Sequence, residues 1–262
     1  MVMGRFSWIV LLMLLCAVSS VGCSVKEDRN GCPCRLYLDF SDVDSLSVDS
    51  LAVSAVSDGG FLYSGVFYSD KFDEDCLLLL PRTSRMRLSV VSGAGAYSSP
   101  DGRVLIPYGE ECPPVHMYTE IIDTDCELLE RKVILKKNYC KLDIRVVDKP
   151  SFTFGLVVRG NVDGYLPGGE LSFGDFCYSV PFIEDIYEVF LPRQCDNSLT
   201  LDIDDGTDVL KTFALGEYLN ESGYDWNAPI LEDVVVEIDF ARTNLKISVE
   251  GWNKVFEFDF VI

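Results

Sequence analysis

The closing stretch KVFEFDFVI (Lys254–Ile262) alternates apolar and charged side chains almost without interruption. Its phenylalanines and the final isoleucine share one face, whereas Glu257 and Asp259 fall on the other. A period of two residues is typical of a β-strand, in which successive side chains point to opposite faces of the sheet. The stretch therefore predicts a half-buried strand that continues to the last residue.

Upstream of this stretch, the chain continues as a succession of predicted strands. Turn-forming segments such as SDGG, FDED and PRTS separate short runs that are rich in apolar residues. In the first half these runs are CRLYLDF, FLYSGVFY, CLLLLP, RMRLSVV, RVLIPYG, ELLERKVILKK and CKLDIRVVD. Short β-rich runs at intervals of about 8–12 residues predict an all-β sandwich or barrel, and no long helical period competes with them.

The second half repeats the same pattern after a charged turn. VVDKPS (146–151) contains Pro150, and the run FTFGLVV begins directly after it, so we place a domain boundary here. Further runs are GELSF, CYSVPF, IYEVFLP, SLTLDID, VLKTFAL, VVVEIDF and LKISVE, whereas GEYLNESGYDW (216–226) predicts a short helix or ordered loop. The chain length beyond the first 22 residues fits two domains, which we assign to residues 32–148 and 149–262.

Residues 1–22 predict an export signal. Arg5 precedes the apolar run WIVLLMLLCAV, and the small residues SSVG follow it, as in a secretory signal peptide. The run is shorter than the roughly 20 apolar residues that a membrane-spanning helix needs. Cys23 stands where a bacterial lipoprotein carries its lipid, although Ser20 replaces the usual leucine; Cys16 fits less well because Leu15 is too large for the position before cleavage. A plain secreted protein and an uncleaved anchor are the alternatives.

Lipidation at Cys23 predicts an attachment to the outer membrane. Several acyl chains on one residue, palmitate among them, anchor a protein far more firmly than a single chain, which alone is marginal. Residues 23–31 then form a polar tether, because SVKEDRNG follows the lipidated cysteine directly.

The charge balance excludes several classes of partner. The whole chain has 22 basic and 42 acidic residues, and removal of Arg5 with the signal leaves 21 basic residues and a net charge of −21. Such a charge opposes binding to nucleic acid and electrostatic adhesion to anionic membranes. We interpret it as a property that keeps an exposed surface domain soluble.

The cysteines suit an exported protein. Of the 10 cysteines, Cys16 lies in the signal and Cys23 is the lipidation site, which leaves eight. An even number in an oxidising compartment permits disulfides, whose connectivity the spacing leaves open; others can be buried as small apolar residues. A structural zinc site is disfavoured because the close pair Cys32 and Cys34 has no second close pair or histidine cluster. The candidate disulfide cysteines are Cys32, Cys34, Cys76, Cys112, Cys126, Cys140, Cys177 and Cys195.

No pattern in the sequence points to catalysis or to a cofactor. His116 is the only histidine, and no G-x-S-x-G nucleophile elbow is present. DIDDGTD (202–208) departs from EF-hand spacing, and its Asp-Gly step between two alternating runs predicts a hairpin turn instead. Trp226 and Trp252 could stack on sugars, but aromatic residues within β-rich segments are more often part of the core.

Four segments resemble fimbrial anchor lipoproteins of the FimB family from Bacteroides-like bacteria. CSVKEDRNGCPCRLYLDF carries the lipidated cysteine, the Glu-Asp-Arg stretch and the Cys-Pro-Cys step that begin the mature family members. VILKKNYCKLDIRV is similar to the last strands of the family's first domain. FALGEYLNESGYDWNAPILEDVVVEIDF and KISVEGWNKV are similar to segments of its second domain.

The resemblance implies two tandem transthyretin-like β-sandwich domains and a non-enzymatic role at the base of a surface fimbria. There the protein would fix the fimbria to the outer membrane and limit its length, with shaft and accessory pilins as partners. Pilins of this kind join when a strand of one subunit completes the sheet of another, which is β-augmentation. The candidate donor strand is Lys254, Val255, Phe256, Glu257, Phe258, Asp259, Phe260, Val261 and Ile262.

Two alternatives remain at the level of the sequence. The closing run could be an ordinary last strand of the second domain. The protein could also be a surface lipoprotein that binds a glycan or another ligand; exposed coplanar aromatic residues would favour this second function, whereas buried Trp226 and Trp252 would favour the fimbrial role.

Overall fold

A computed structural model describes residues 31–44, 47–72, 76–147, 154–183, 186–239 and 241–260. The predicted signal peptide, Cys23 and most of the predicted tether lie outside these residues, as do the last two residues of the predicted donor strand. Pro33–Ile262 form one compact unit. Among the described residues, no helix has both the length and the apolar character needed to cross a membrane.

Strands dominate this unit, and a single α-helix is described within it. The elements in chain order are β1 (Cys34–Asp39), β2 (Ser50–Ser57), β3 (Leu62–Tyr68), β4 (Cys76–Leu80), β5 (Met86–Ser92), β6 (Val104–Leu105), β7 (His116–Ile122), β8 (Leu128–Lys132), β9 (Lys136–Lys137), β10 (Tyr139–Val147), β11 (Gly155–Tyr165), β12 (Leu171–Val180), β13 (Phe182–Ile183), β14 (Ile186–Pro192), β15 (Thr200–Asp204), β16 (Val209–Phe213), α1 (Leu215–Ser222), β17 (Val234–Asp239), β18 (Asn244–Val249) and β19 (Val255–Asp259).

The first two sheets enclose one hydrophobic core. A three-stranded sheet has the order β4-β1-β8, and a five-stranded sheet has the order β3-β2-β5-β7-β9. Alternate residues of β1 and β4, such as Leu36 and Leu78, are buried and meet Leu51 and Leu88 from the facing sheet. Alternation along each strand thus places one face in the core, as the runs CRLYLDF and CLLLLP predict.

The other two sheets enclose a second core. A six-stranded sheet has the order β13-β14-β10-β17-β18-β19; a second sheet has the order β12-β11-β15-β16, with β6 paired to β11. Helix α1 covers this core with Leu215 and Leu219, and it ends at Gly223, whose left-handed φ of 87° is favourable only for glycine. The all-β sandwich fold and the short helix are therefore confirmed.

The position of β10 differs from the division of the chain that the sequence suggests. β10 pairs antiparallel with β14 and parallel with β17, and its inward residues Cys140, Leu142 and Ile144 belong to the second core. The predicted boundary between residues 148 and 149 lies outside the described residues. The predicted division assigns β10 to the first domain, because the strand precedes this boundary. The hydrophobic pattern reveals a strand but not its partners, which here follow much later in the chain.

Two strands escape the sequence pattern. The residues of β2, SLAVSAVS, are small and rich in hydroxyl groups, and those of β7, HMYTEII, mix polar and apolar types. The sequence pattern therefore predicts neither strand. His116 is the first residue of β7. Conversely, RVLIPYG contributes only the two residues of β6. β6 pairs with β11 at Gly164, where an added Cβ would lie 2.0 Å from the carbonyl oxygen of Val104. Only glycine permits so close a backbone approach.

A third cluster joins elements of both pairs of sheets. Val91 and Met117 from the first pair pack with Val104 and Tyr165 from the second. The Tyr165 hydroxyl donates to the carbonyl of Asn138 and accepts from the N–H of Arg193 at 2.9 Å. The hydroxyl thus links the residue before β10 to the residue after β14.

Candidate functional site

The predicted donor strand forms the edge of the six-stranded sheet. Its described part, β19, pairs antiparallel with β18, and its other edge has no partner strand among the described residues. Val255, Glu257 and Asp259 are exposed, whereas Phe256 and Phe258 are half-buried and Phe260 is buried. The predicted alternation is confirmed over these residues, and the run has the place that an ordinary last strand would have.

Three aromatic contacts hold the inner face of β19. The ring of Phe260 meets that of Phe213 edge-on, with centroids 4.9 Å apart. The Phe258 ring lies 4.8 Å from that of Tyr218 on α1, and the Phe256 ring lies 6.2 Å from that of Trp252. Deleting the strand would therefore remove packing from the second core as well as an edge.

The outer edge of β19 carries backbone N–H and C=O groups that do not bond to β18. The N–H of Phe260 donates to the carbonyl of Thr243 at 2.9 Å, so this pair is hydrogen-bonded across β18 and β19. Hydrogen-bonded and non-bonded pairs alternate along an antiparallel ladder. The backbone groups of Val255, Glu257 and Asp259 therefore point away from β18, where another strand could pair with them.

The two tryptophans that could stack on sugars belong to the packing of the second core. Trp226 is 8% exposed and meets the ring of Tyr224 edge-on at 4.9 Å. Trp252 is half-buried, and its Nε1–H donates to Glu232 Oε2 at 2.6 Å. Their interpretation as core residues fits these contacts, and their rings do not form an exposed stacking platform.

A groove of about 420 Å³ was not foreseen from the sequence. It is lined by Met117, Tyr118, Thr119, Ile134, Lys136, Asn138, Gly169, Arg193, Asn227, Ala228 and Pro229. Two basic and no acidic side chains line it, in a chain whose net charge is −20. Its residues come from five separate segments of the chain, so no local motif could have revealed it.

Arg193 anchors one wall of this groove. Its guanidinium donates to the carbonyl of Trp226, to that of Ala228 at 2.7 Å, and to Asn138 Oδ1 at 3.3 Å. Burial lowers the pKa of Arg193 from its ordinary value. Through these hydrogen bonds, Arg193 holds the 226–229 segment at the end of β14, which is a structural role.

The eight candidate disulfide cysteines differ in how deeply the fold buries them. Cys34, Cys76, Cys112, Cys140 and Cys177 are buried, Cys126 is half-buried, and Cys32 and Cys195 are exposed. The Sγ atoms of Cys34 and Cys126 lie 3.7 Å apart. Burial raises the pKa of Cys34 to about 11 and the pKa values of Cys76 and Cys140 to about 12.

The remaining polar candidates are engaged in local structure. His116 Nδ1 lies 3.2 Å from the carbonyl oxygen of Pro114, and burial lowers the pKa of the imidazole. Asp205 Oδ1 accepts from the N–H groups of Thr207 and Asp208, both at 2.9 Å, in the turn between β15 and β16. The predicted Asp-Gly hairpin turn is confirmed. Within the described part of the chain, no three metal-ligating side chains cluster.

Comparisons with solved structures find the same fold in several bacterial proteins. No protein-family model and no curated protein sequence matches this chain. A proposed polysaccharide-binding protein from Bacteroides thetaiotaomicron is 10% identical with a TM-score of 0.60, over 86% of this chain and 98% of that one. The fimbrial anchor protein Mfa2 from Porphyromonas gingivalis is 11% identical with a TM-score of 0.57, over 84% of this chain and 98% of its own.

A proposed adhesin from Bacteroides thetaiotaomicron adds a third example. It is 12% identical with a TM-score of 0.51, over 84% of this chain and 97% of that one. At these identities the comparisons establish the fold and no more. The chain therefore has the all-β sandwich fold that is also found in a fimbrial anchor protein, in a proposed polysaccharide-binding protein and in a proposed adhesin.

Proposed function

We propose that this protein is a non-enzymatic, lipid-anchored fimbrial subunit that attaches a surface fimbria to the outer membrane and limits its length. The observation that carries the proposal is the shared fold with the fimbrial anchor Mfa2 across 84% of the chain. The lipoprotein-like signal of residues 1–22, directly before Cys23, supports it independently. A lipidated first residue would hold the folded part at the membrane, while shaft and accessory pilins bind further along the molecule.

The C-terminal run Lys254–Ile262 is the segment that we propose to complete the sheet of a shaft pilin. Its position at a sheet edge supports this role. An edge strand is hydrogen-bonded to a neighbouring strand on one side only, so fewer bonds must break before it can pair with another sheet. Its alternating apolar residues would fill pockets in a receiving sandwich while its backbone supplies the ladder. In the isolated protein, the same residues pack on Phe213, Tyr218 and Trp252. Donation therefore requires β19 to leave these partners.

Locking β19 in place tests this donation better than deleting it, because the aromatic packing is kept. Lys246 lies opposite Glu257 in a pair that is not hydrogen-bonded, where Cα atoms are about 4.5 Å apart and within reach of a disulfide. We expect the oxidised double variant Lys246→Cys/Glu257→Cys to fold, to reach the membrane and to lose cell-bound fimbriae. Fimbriae are counted by electron microscopy.

The matched control is the single variant Glu257→Cys, which introduces a thiol at the same exposed position without a lock. It should retain fimbriae at the wild-type number. If cells with the fully cross-linked double variant also keep their fimbriae, β19 is not donated.

A second candidate function is that of a surface lipoprotein that binds a glycan. The groove favours it, because Thr119 and Asn227 offer hydroxyl and amide groups beside Lys136, and a few polar groups in a concave site suit a sugar ligand. Under this alternative the lock between β18 and β19 leaves fimbriae unaffected, since the groove does not involve β19.

A further inference from the structure

The thiols of Cys34 and Cys126 face each other at the start of the first pair of sheets. Cys34 begins β1 with its side chain in the buried row, and its Sγ lies 3.7 Å from that of Cys126. β1 and β8 are parallel neighbours with Arg35 opposite Leu128, and the N–H of Arg35 donates to the carbonyl of Glu127 at 3.1 Å. The two cysteines thus sit on adjacent backbones, at the spacing from which a disulfide forms.

The loop that carries Cys126 is held in place by a buried threonine. Thr124 is fully buried, and its hydroxyl donates to the carbonyl of Pro81 at 2.7 Å and accepts from the N–H of Thr83 at 3.1 Å. The N–H of Thr124 in turn donates to the carbonyl of Thr83 at 2.9 Å. Because this loop is fixed to the β4–β5 connection, Cys126 is held beside Cys34.

The other cysteines are placed less well for either partner. Cys76 lies opposite Leu38, at the far end of β1 from Cys34, and four residues of strand separate the two by about 13 Å. Cys112, Cys140 and Cys177 belong to the second core or its sheets. Cys195 is exposed and lies between β14 and β15 of the second pair of sheets. Cys32, which is exposed and two residues before Cys34, is the nearest competitor in sequence for Cys126.

We propose that Cys34 and Cys126 form a disulfide bond in the exported protein. The oxidant is a dithiol–disulfide oxidoreductase of the exporting compartment in its disulfide form. The half-buried Cys126 attacks one sulfur of that disulfide as a thiolate and releases the other as a thiol. Cys34 then attacks Cys126 Sγ and expels the second oxidoreductase thiol, so two cysteine protons and two electrons pass to the oxidoreductase.

The bond would change how the molecule bears a pulling force. The chain enters β1 at Cys34 directly from the predicted tether, so tension on a lipidated N-terminus would act first on the hydrogen bonds of β1. A disulfide to Cys126 transfers that tension covalently to the loop before β8. This consequence depends on the proposed anchoring role, whereas the bond itself depends only on export.

Peptide mapping of the full-length protein from its native membrane tests the bond. Cells are treated with N-ethylmaleimide before lysis, and the protein is digested without reductant by trypsin and chymotrypsin, since cleavage after Tyr118 separates Cys112 from Cys126. We expect the peptide of Cys34 linked to that of Cys126 in the wild type and in Cys32→Ser. The linked peptide should be missing in Cys126→Ser. Recovery of both cysteines in separate, alkylated peptides, or a bond from Cys126 to Cys32, would overturn the proposal.

Thermal unfolding provides a second measurement that does not depend on peptide recovery. We expect reductant to lower the melting temperature of the wild type by on the order of 10 °C, because the bond closes a long loop. The same treatment should leave the melting temperature of Cys126→Ser nearly unchanged, while the exposed-cysteine variant Cys195→Ser responds as the wild type does. An equal response of wild type and Cys126→Ser would contradict the bond, whether or not the protein anchors a fimbria.

Discussion

At the scale of single residues, the hydroxyl of Tyr165 connects segments that are far apart in the chain. It donates to the carbonyl of Asn138 and accepts from the N–H of Arg193, in a site where the tyrosine is 1% exposed. Removing it in Tyr165→Phe leaves both backbone groups without this partner, which typically costs about 1–3 kcal/mol. We expect a lower free energy of unfolding by that amount in urea denaturation. The control Tyr68→Phe removes a hydroxyl from a side chain that is 60% exposed and should change stability by less than about 0.5 kcal/mol; equal effects of the two variants would refute the role of Tyr165.

At the scale of elements, the hairpin of β15 and β16 depends on the ionised carboxylate of Asp205. Hydrogen bonds from Asp208 and Thr207 lower the pKa of Asp205 from 3.8 to about 2. A pKa that is lowered by folding means that the carboxylate stabilises the turn above about pH 4, and that this contribution is lost as the pH falls towards 2. In an NMR titration, we expect the Thr207 amide resonance to move with a midpoint near pH 2, and to lose that transition in Asp205→Asn. A midpoint near pH 4 would show that the hydrogen bonds of the turn do not depend on the ionised carboxylate of Asp205.

The elements also show what the sequence can reveal and why. The Asp205-Gly206 turn, α1 and the alternation of β19 were predicted because each depends on residues within one short segment. The pairing of β10 with β17 was not, because these strands meet across a long stretch of intervening chain. β2 was missed because its serines and alanines lack the bulk of typical strand residues. Of the candidate sites, the strand could be located from its pattern, whereas the groove at Arg193 and the contact of Cys34 with Cys126 are products of the tertiary fold.

At the scale of the whole molecule, two pairs of sheets follow the predicted signal peptide of residues 1–22 and the proposed lipidation site Cys23, and the proposed role uses both ends of the chain. Under that role, acyl chains on Cys23 would hold the protein at the membrane, and the second pair of sheets would offer its edge strand β19 to a pilin. The net charge of −21 without residues 1–22 would make anionic membrane surfaces repel the folded part, so the proposed attachment depends on the lipid.

The proposed anchoring role is tested most directly by the distribution of fimbriae between cells and medium in a Cys23→Ala strain. Without the acylated cysteine, we predict that most fimbriae, together with the variant protein, are recovered from the culture medium, while the wild type keeps both on the cell. Fimbriae and variant protein that remain in the outer-membrane fraction at wild-type levels would contradict the account.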